Sequence, residues 1–490
     1  MLQVRTRMAP SPTGEYHPGH IRTVLYNYAL AKKNKGQFVI RIEDTDQGRY
    51  VEGSADRILD IITDYGLSWD EGPRVGGPYE PYFQSQRLDI YKKYAKELVD
   101  KGHAYYCFCT PERLAVMRKE QQDQKLPVTK YDRKCRNMSE VEVEKKLREG
   151  VSYVIRQKVP DDTIISFTDE ILGAISFESK DIEDGVLLKS DGFPTYHLAV
   201  VIDDHLMNVT HILRGCDWIP STPKHILIYK ALGWNIPKIA HLPNLKEVGG
   251  TSKLSKRYGA VEARGFLEEG YLPEAMLNFL MLLGWNPGTD KEIFTLEEFI
   301  QEFSLSRVHP TDLVAFDRTR LLWYNAYYIR NLSLQNLYDR LSAWVDKYDF
   351  EFKLQDYPKD YILEVLKLVQ DRLHVFKEIK ELVLYFLEDP TINKDQLIKQ
   401  SKSAVLAANI LNSYKTLFEE ISEPDWDREN LDKKAHELLS LKSYKPKEAF
   451  MTIRVALTGL EATPPLFDII GLLKKEIVLG RLQSALSLVS

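Results

Sequence analysis

Between Gly288 and Gly459 the chain has no glycine, and only Gly459, Gly471 and Gly480 of its 26 glycines fall beyond Gly288. Tight turns and hairpins need residues at positive φ, which glycine supplies without strain, so a long stretch lacking it is not a run of hairpins. Apolar residues recur there at helical spacing instead, as at Ile362, Val365, Leu366, Val369, Leu373 and Phe376. The economical reading is an all-helical module, entered through an aromatic-rich hinge from Trp323 to Ile329.

The first half has another rhythm. An apolar run from Gln3 to Met8 reads as a strand that prolines and Gly14 break into a loop. A helix face follows at Ile21, Val24, Leu25 and Tyr28, with Gly36 as its left-handed stop. Gln37 to Asp44 is a second strand ending near Glu43, Asp44 and Asp46. A helix from about Ser54 carries Ile58, Ile61, Ile62 and Tyr65 and stops at Gly66; another, capped by Ser85, carries Leu88, Tyr91 and Leu98 and stops at Gly102.

Strands alternating with helices predict an α/β fold of Rossmann type, a parallel doubly wound sheet with ligands beyond the carboxyl ends of its strands. That puts His17, His20 and Glu43 on one rim. Residues 104–189 are polar, with short strands such as Ser152 to Lys158, and read as an α+β insertion. The sheet is expected to resume through Asp191 to Asp204 and Val209 to Arg214, before a turn at Gly215 to Trp218 and an amphipathic helix from Ser221 to Leu232.

Composition is that of an ordinary globular protein, 44% hydrophobic and 28% charged. The net charge of −5 means that any nucleic-acid contact depends on local basic patches. No apolar stretch of about 20 residues offers a membrane span, and Met1 to Thr6 resembles neither a signal nor a transit peptide, so a cytoplasmic protein is expected. Four cysteines in so long a chain make no disulfide framework, and the Cys107-x-Cys109 spacing suggests a metal.

Two stretches carry chemistry. His17-Pro18-Gly19-His20 opens a helix, where unsatisfied N–H groups and a partial positive charge suit a phosphate and glycine leaves room for one. By itself such a stretch is more often a plain helix cap. Thr251 to Gly259 is a basic loop behind Gly249-Gly250, with Lys253 and Lys256 three apart, and by itself it is equally a solvated charge run. Together, in this order, they resemble the H-I-G-H and K-M-S-K-S motifs of class I aminoacyl-tRNA synthetases.

Longer stretches narrow the resemblance: Arg7 to Gly14 (R-x-A-P-S-P-T-G), Arg41 to Asp46 (R-I-E-D-T-D), Asp70 to Pro73, Gly76 to Tyr79, Leu187 to Ala199, Asp203 to Met207 and Ser221 to His225. With these, the whole chain resembles the glutamyl-tRNA synthetases of bacterial type. Related glutaminyl enzymes carry β-barrels where this chain is helical, and the short paralogue that modifies queuosine lacks that half altogether. The resemblance implies a Rossmann catalytic domain in two halves (residues 1–103 and 190–232) around an acceptor-stem-binding insertion (104–189). A lysine-loop and stem-contact domain (233–330) and two helical anticodon-binding domains (331–385 and 386–490) would follow.

The implied activity is ATP- and Mg²⁺-dependent attachment of L-glutamate to tRNA(Glu), through glutamyl-adenylate, by a monomeric enzyme. His17, His20, Lys253 and Lys256 would be catalytic. Gly19, Asp217, Leu245, Lys253, Ser255, Lys256 and Arg257 would bind ATP. Arg7, Ala9, Ser11, Glu43, Tyr196 and Arg214 would bind glutamate, with arginine forks matching carboxylates. Arg372, Arg454, Thr463, Pro464 and Leu466 fall on anticodon-reading positions, Arg372 being associated with rejecting glutamine tRNA. The alternatives are a non-discriminating enzyme that also glutamylates tRNA(Gln), or a catalytically inactive RNA-binding homologue.

Two positions depart from the family pattern: Val200 stands where Asn is common, and Cys216 where Glu is usual. Cys107, Cys109 and Cys135 match the zinc pattern of some relatives, but Asn137 replaces the usual final histidine. A closed tetrahedral site needs a fourth ligand, and the short paralogue points to Tyr131. Three buried free thiols are the other reading.

Overall fold

The computed structural model describes residues 3–126, 129–252 and 262–490. Its strands in chain order are β1 (Arg5–Met8), β2 (Gln37–Ile40), β3 (Ala104–Cys107), β4 (Val154–Gln157), β5 (Ile164–Asp169), β6 (Gly173–Glu178), β7 (Val186–Leu188), β8 (His211–Gly215), β9 (Lys238–Leu242), β10 (Asn244–Glu247) and β11 (Leu313–Phe316). They belong to the first of two compact units, Met1–Phe266 with Pro273–Arg318.

β1 pairs in parallel with β2, and β8 in parallel with β9. The starts of β1 and β8 lie side by side, Thr210 N–H donating to Arg5 O at 3.0 Å. β5 joins β9 in parallel at Asp169, and β6 returns antiparallel. From β1 the chain next pairs on one side, from β8 on the other. That reversal is the topological switch point at which open α/β sheets bind ligands, here beyond Met8 and Gly215.

The crossover from β1 to β2 is helix α1 (Pro18–Lys33), with proline at its first position and Ile21, Val24 and Leu25 fully buried. Its left-handed residue is Lys35 (φ 50°), not Gly36. Gly36 serves another need: a Cβ there would lie 2.0 Å from Val4 O, so only glycine lets the chain enter β2 so close to β1. α2 (Ser54–Asp64) ends as expected at Gly66, φ 76°.

α3 (Leu88–Asp100) starts later than its Ser85 signal, because Ser85 is spent elsewhere: its N–H and Oγ donate to Asp44 at 2.8 and 2.6 Å. Within the insertion, β3, β4 and β7 form an antiparallel sheet flanked by α4 (Pro111–Asp123) and α5 (Glu140–Arg148).

The largest departure is at Asp191 to Asp204, where the resumed sheet is instead helix α6 (Tyr196–Leu206). Leu198, Ala199, Val200, Val201 and Ile202 are all buried, in one cluster with Tyr91, Leu98 and Tyr229. A helix covered all round loses the polar face that would have betrayed its period. α7 (Thr222–Leu232) follows β8 through a 3₁₀ segment (Cys216–Ser221) and ends at left-handed Gly233, φ 75°. β10 pairs in parallel with β11, which is a strand inside the glycine-free region and so an exception to its all-helical reading.

The second unit, Leu267–Leu272 with Thr319–Ser490, has no strand among its described residues. The aromatic residues from Trp323 to Ile329 lie inside a continuous helix (Arg318–Arg330), not at a hinge. Ile362, Val365, Leu366 and Val369 share the buried face of helix Lys359–Val369, whereas Leu373 and Phe376 are buried from the turns after it. Arg481 is buried and donates to Tyr385 O, Glu388 O and Leu457 O at 2.6, 2.7 and 2.9 Å, tying the last carbonyls of two helices to the final one. No helix among the described residues is long and apolar enough to cross a membrane.

Candidate active site

A cavity of about 400 Å³ opens at the switch point. Every described residue expected to hold ATP or glutamate lines it: Arg7, Ala9, Ser11, His17, Gly19, His20, Glu43, Tyr196, Arg214, Asp217 and Leu245. Lys253, Ser255, Lys256 and Arg257 lie outside the described residues.

At one end is the start of α1. His17 is its N-cap, and its Nδ1 accepts from Gly19 N–H at 3.1 Å, while His20 Nδ1 accepts from His17 N–H at 3.3 Å. A neutral imidazole that accepts at Nδ1 carries its proton on Nε2, so both rings are set as Nε2 donors. They stack at 3.8 Å, and His20 lies against Tyr16 at 4.6 Å. A Cβ at 19 would come within 2.8 Å of His17 Cε1, so any larger residue there would have to push the His17 ring aside. Leu245 on β10 closes this side, its Cδ1 3.5 Å from the same point.

At the other end stand two arginines on adjacent strand ends. Arg7 is buried and donates through Nε to both oxygens of Asp204 at 3.1 and 3.2 Å. Its Nη atoms bond no other described residue, and Arg7 lines the cavity. Arg41, also buried, bridges Asp204 (2.9 Å) and Glu43 (2.9 Å), and Asp203 takes Arg87 (2.9 Å) and Tyr91 (2.6 Å). Burial pushes the Glu43 carboxyl up to about 7 against the pull of Arg41. Arg214 donates to Tyr196 Oη at 3.1 Å, and the Tyr196 ring packs on Trp218 at 4.4 Å.

The two departures from the family pattern fall in different places. Val200 is buried in the apolar cluster around α6 and is absent from the cavity wall. Cys216 sits beside the cavity, its sulfur accepting from Asn244 Nδ2 and donating to Asp312 O, both at 3.2 Å. At Gly215 a Cβ would lie 2.4 Å from Asp217 Oδ1 and 2.8 Å from Asn244 Oδ1, so a larger residue would have to displace those side chains.

The sequence shows Asp203, Asp204 and His225 only inside motifs, without a role for them. It does not mark Arg22, Trp218 and Asn244 as lining residues. The buried Arg22 donates to Leu283 O at 3.0 Å and to Pro243 O, fixing the wall next to Leu245. Nothing in the local pattern separates such an arginine from a surface one.

Cys107, Cys109 and Cys135 converge, their sulfurs within 4.8 Å of one another. Tyr131 is buried, with its Oη 3.3 Å from Cys107 Sγ and 3.4 Å from Cys109 Sγ; Asn137 is exposed. Tetrahedral zinc with bonds of about 2.3 Å to sulfur and about 2.0 Å to oxygen sets S···S near about 3.8 Å and S···O near about 3.5 Å. The Cys109–Cys135 sulfur pair at 3.5 Å and the two Tyr131 distances come near those values. Hydrogen bonding from Cys135 pulls the Cys107 thiol down, Arg156 donates to Cys107 Sγ at 3.3 Å, and Arg113 to Cys109 Sγ at 3.4 Å, so nearby cations suit thiolates.

In the second unit, Arg454 donates to Thr463 Oγ1 and to Pro464 O, next to Leu466 at the start of helix Leu466–Leu472. Arg372 is exposed and close enough to Arg454 to oppose its charge. All five expected anticodon residues thus belong to this unit.

A ligand cavity at the switch point of a parallel sheet, with a histidine-bearing helix start on one side, is the arrangement of class I tRNA synthetases. The family described as tRNA synthetases class I (E and Q), catalytic domain, matches residues 3–323, and the anticodon binding domain family matches residues 336–486. Glutamate–tRNA ligases of Clostridium novyi and Borreliella burgdorferi are 44% and 41% identical, over 98% and 99% of this chain and 97% and 98% of theirs. A crystal structure of a glutamate tRNA ligase from Elizabethkingia meningosepticum in complex with its amino acid matches with a TM-score of 0.88 at 35% identity, covering 99% of each chain. The chain belongs to the glutamate–tRNA ligase family.

Proposed function

We propose that the protein joins L-glutamate to the 3′-terminal ribose of tRNA(Glu) in two steps through glutamyl-adenylate. The observation that carries this is one cavity with arginine forks at one end and a phosphate-binding helix start at the other. A glutamate carboxylate set by Arg7 and Arg214, its ammonium facing Glu43 and its backbone near Ala9, Ser11 and Tyr196, lies within reach of an α-phosphate at His17 and His20. In-line attack then spreads charge over the phosphoryl oxygens, where prealigned donors lower the barrier. ATP enters with Mg²⁺ on its phosphates; Gly19, Asp217 and Leu245 border its place, and Lys253, Ser255, Lys256 and Arg257 would complete it.

In this reading residues 104–189 hold the acceptor end of tRNA, with Cys107, Cys109, Tyr131 and Cys135 binding a structural zinc ion. Residues 233–330 carry the lysine loop and stem contacts. Residues 331–385 and 386–490 read the anticodon through Arg372, Arg454, Thr463, Pro464 and Leu466, and the arginine at 372 favours an enzyme that rejects glutamine tRNA. The test is glutamate-dependent pyrophosphate exchange with and without tRNA, followed by charging of purified tRNA(Glu) and tRNA(Gln). Glutamylation of tRNA(Glu) alone is expected. No glutamylation of either would refute the activity, and efficient charging of both would refute the discrimination.

A further inference from the structure

Arg214 is held by four neighbours. Nε donates to His241 Nε2 at 3.2 Å, Nη1 to Tyr196 Oη at 3.1 Å and His225 Nδ1 at 3.3 Å, and Nη2 to Thr222 Oγ1 at 2.8 Å. A guanidinium has donors only, so each imidazole nitrogen that faces it carries no proton. The tautomers follow. His241 keeps its proton on Nδ1 and donates to Asp169 Oδ2 at 2.7 Å. His225 keeps its own on Nε2 and donates to His197 Nδ1 at 3.1 Å.

Burial lowers the basicity of all three rings, that of His197 to about 4, which agrees with neutral imidazoles. All four hydrogen-bond partners of Arg214 are therefore uncharged, and its charge is left for a substrate carboxylate. Arg7 differs in spending one side on Asp204. Asp169 is fixed in turn: Oδ1 accepts from Ile171 and Leu172 N–H at 2.9 Å each, and Oδ2 from His241 N–H at 3.0 Å.

We propose that Asp169 and His241 are positioning residues for glutamate recognition: the carboxylate selects the imidazole tautomer that holds Arg214 Nε, and so the direction of the fork. This rests on Arg214 binding a glutamate carboxylate. Asp169 ends β5, none of whose residues lines the cavity, so the strand acts on the amino-acid site at one remove, through this imidazole.

Asparagine at 169 would present an N–H donor to His241 Nδ1. The ring proton would move to Nε2 and face the Arg214 N–H, donor against donor. Asp169→Asn is therefore expected to raise the KM for glutamate about tenfold, with kcat at saturating glutamate and the KM for ATP within about twofold. His241→Gln keeps an acceptor for Arg214 that needs no tautomer, and should hold the glutamate KM within about threefold. Adding Asp169→Asn to it should then change nothing further.

If Asp169 merely braced the turn at 171–172, its substitution would act equally in both backgrounds, and that result overturns the proposal. So does an unchanged glutamate KM in Asp169→Asn, or an equal rise in the KM for ATP. Should Asp169→Asn fail to fold by circular dichroism, His241→Gln against His241→Leu decides: equal KM values for the two would overturn it. Wild-type protein that charges no tRNA with glutamate would refute the activity itself, whereas active wild type beside an unaltered Asp169→Asn refutes only the positioning role.

Discussion

Replacing Asp204 by asparagine keeps the shape of the residue that anchors the arginine side of the cavity and removes its charge. Asp204 is 1% exposed and is shared by Arg7 Nε (3.1 Å) and Arg41 Nη1 (2.9 Å). Breaking a buried ion pair from one side typically costs about 3 to 5 kcal/mol, because it strands the opposite charge. Here Arg41 keeps Glu43 at 2.9 Å and Asp203 at 3.6 Å, and Arg7 borders the open cavity. The loss should fall at the lower end, about 3 kcal/mol, which in a unit of this size lowers the melting temperature by about 6 °C.

The pH dependence has a definite sign. Burial alone would raise the Asp204 carboxyl, but Arg7 and Arg41 outweigh it and hold it below the usual carboxylate range. The stabilisation is fully present above the unfolded value of about 3.9 and is lost as pH falls through the lower folded value. Calorimetry of wild type and Asp204→Asn should therefore show a constant deficit from about pH 8 to about pH 5, narrowing only below about pH 4. Pyrophosphate exchange should show a raised KM for glutamate in the variant. A melting difference under about 1 °C, or a deficit that already shrinks above about pH 5, would refute the reasoning.

If the charged form of Glu43 receives the substrate ammonium, its carboxyl at about 7 should make kcat/KM for glutamate climb with pH through about 7 and then level off. Glu43→Gln should lose at least about tenfold in kcat/KM and give a flat profile; a wild-type profile already flat across that range would exclude the role. Emission analysis of purified protein should find about one zinc per chain, and close to none after Cys135→Ser. Metal-free wild-type protein would leave the sulfurs as plain thiols.

Much of this was legible in the sequence because function sits where periodicity changes. The break from β1 into α1 is written in Pro10, Pro12 and Gly14, and it carries Arg7, Ser11, His17 and His20 together to the cavity. α6 was misread because LAVVI, seen alone, suits a buried strand as well as a buried helix. The same misreading hid what Asp203 and Asp204 do, since their partners on β1, α3 and the stretch after β2 are remote in sequence. Local patterns report period and turns; they say nothing of which distant arginine a carboxylate meets. Gly36 shows the converse, a correct residue with the wrong reason, because the close approach of Val4 O is a tertiary fact.

One short helix also sets a tolerance for the whole site. Tyr196, at the first position of α6, reaches the cavity, while Asp204 near its other end clamps Arg7 from behind. The rise of about 1.5 Å per residue makes the span between them about 12 Å, and a helix neither stretches nor shortens without rotating. α6 is thus a gauge bar: adding or deleting one residue turns everything beyond it by about 100° and pulls the clamp out of line with the tyrosine. Residues along it can be exchanged, but its length cannot be edited.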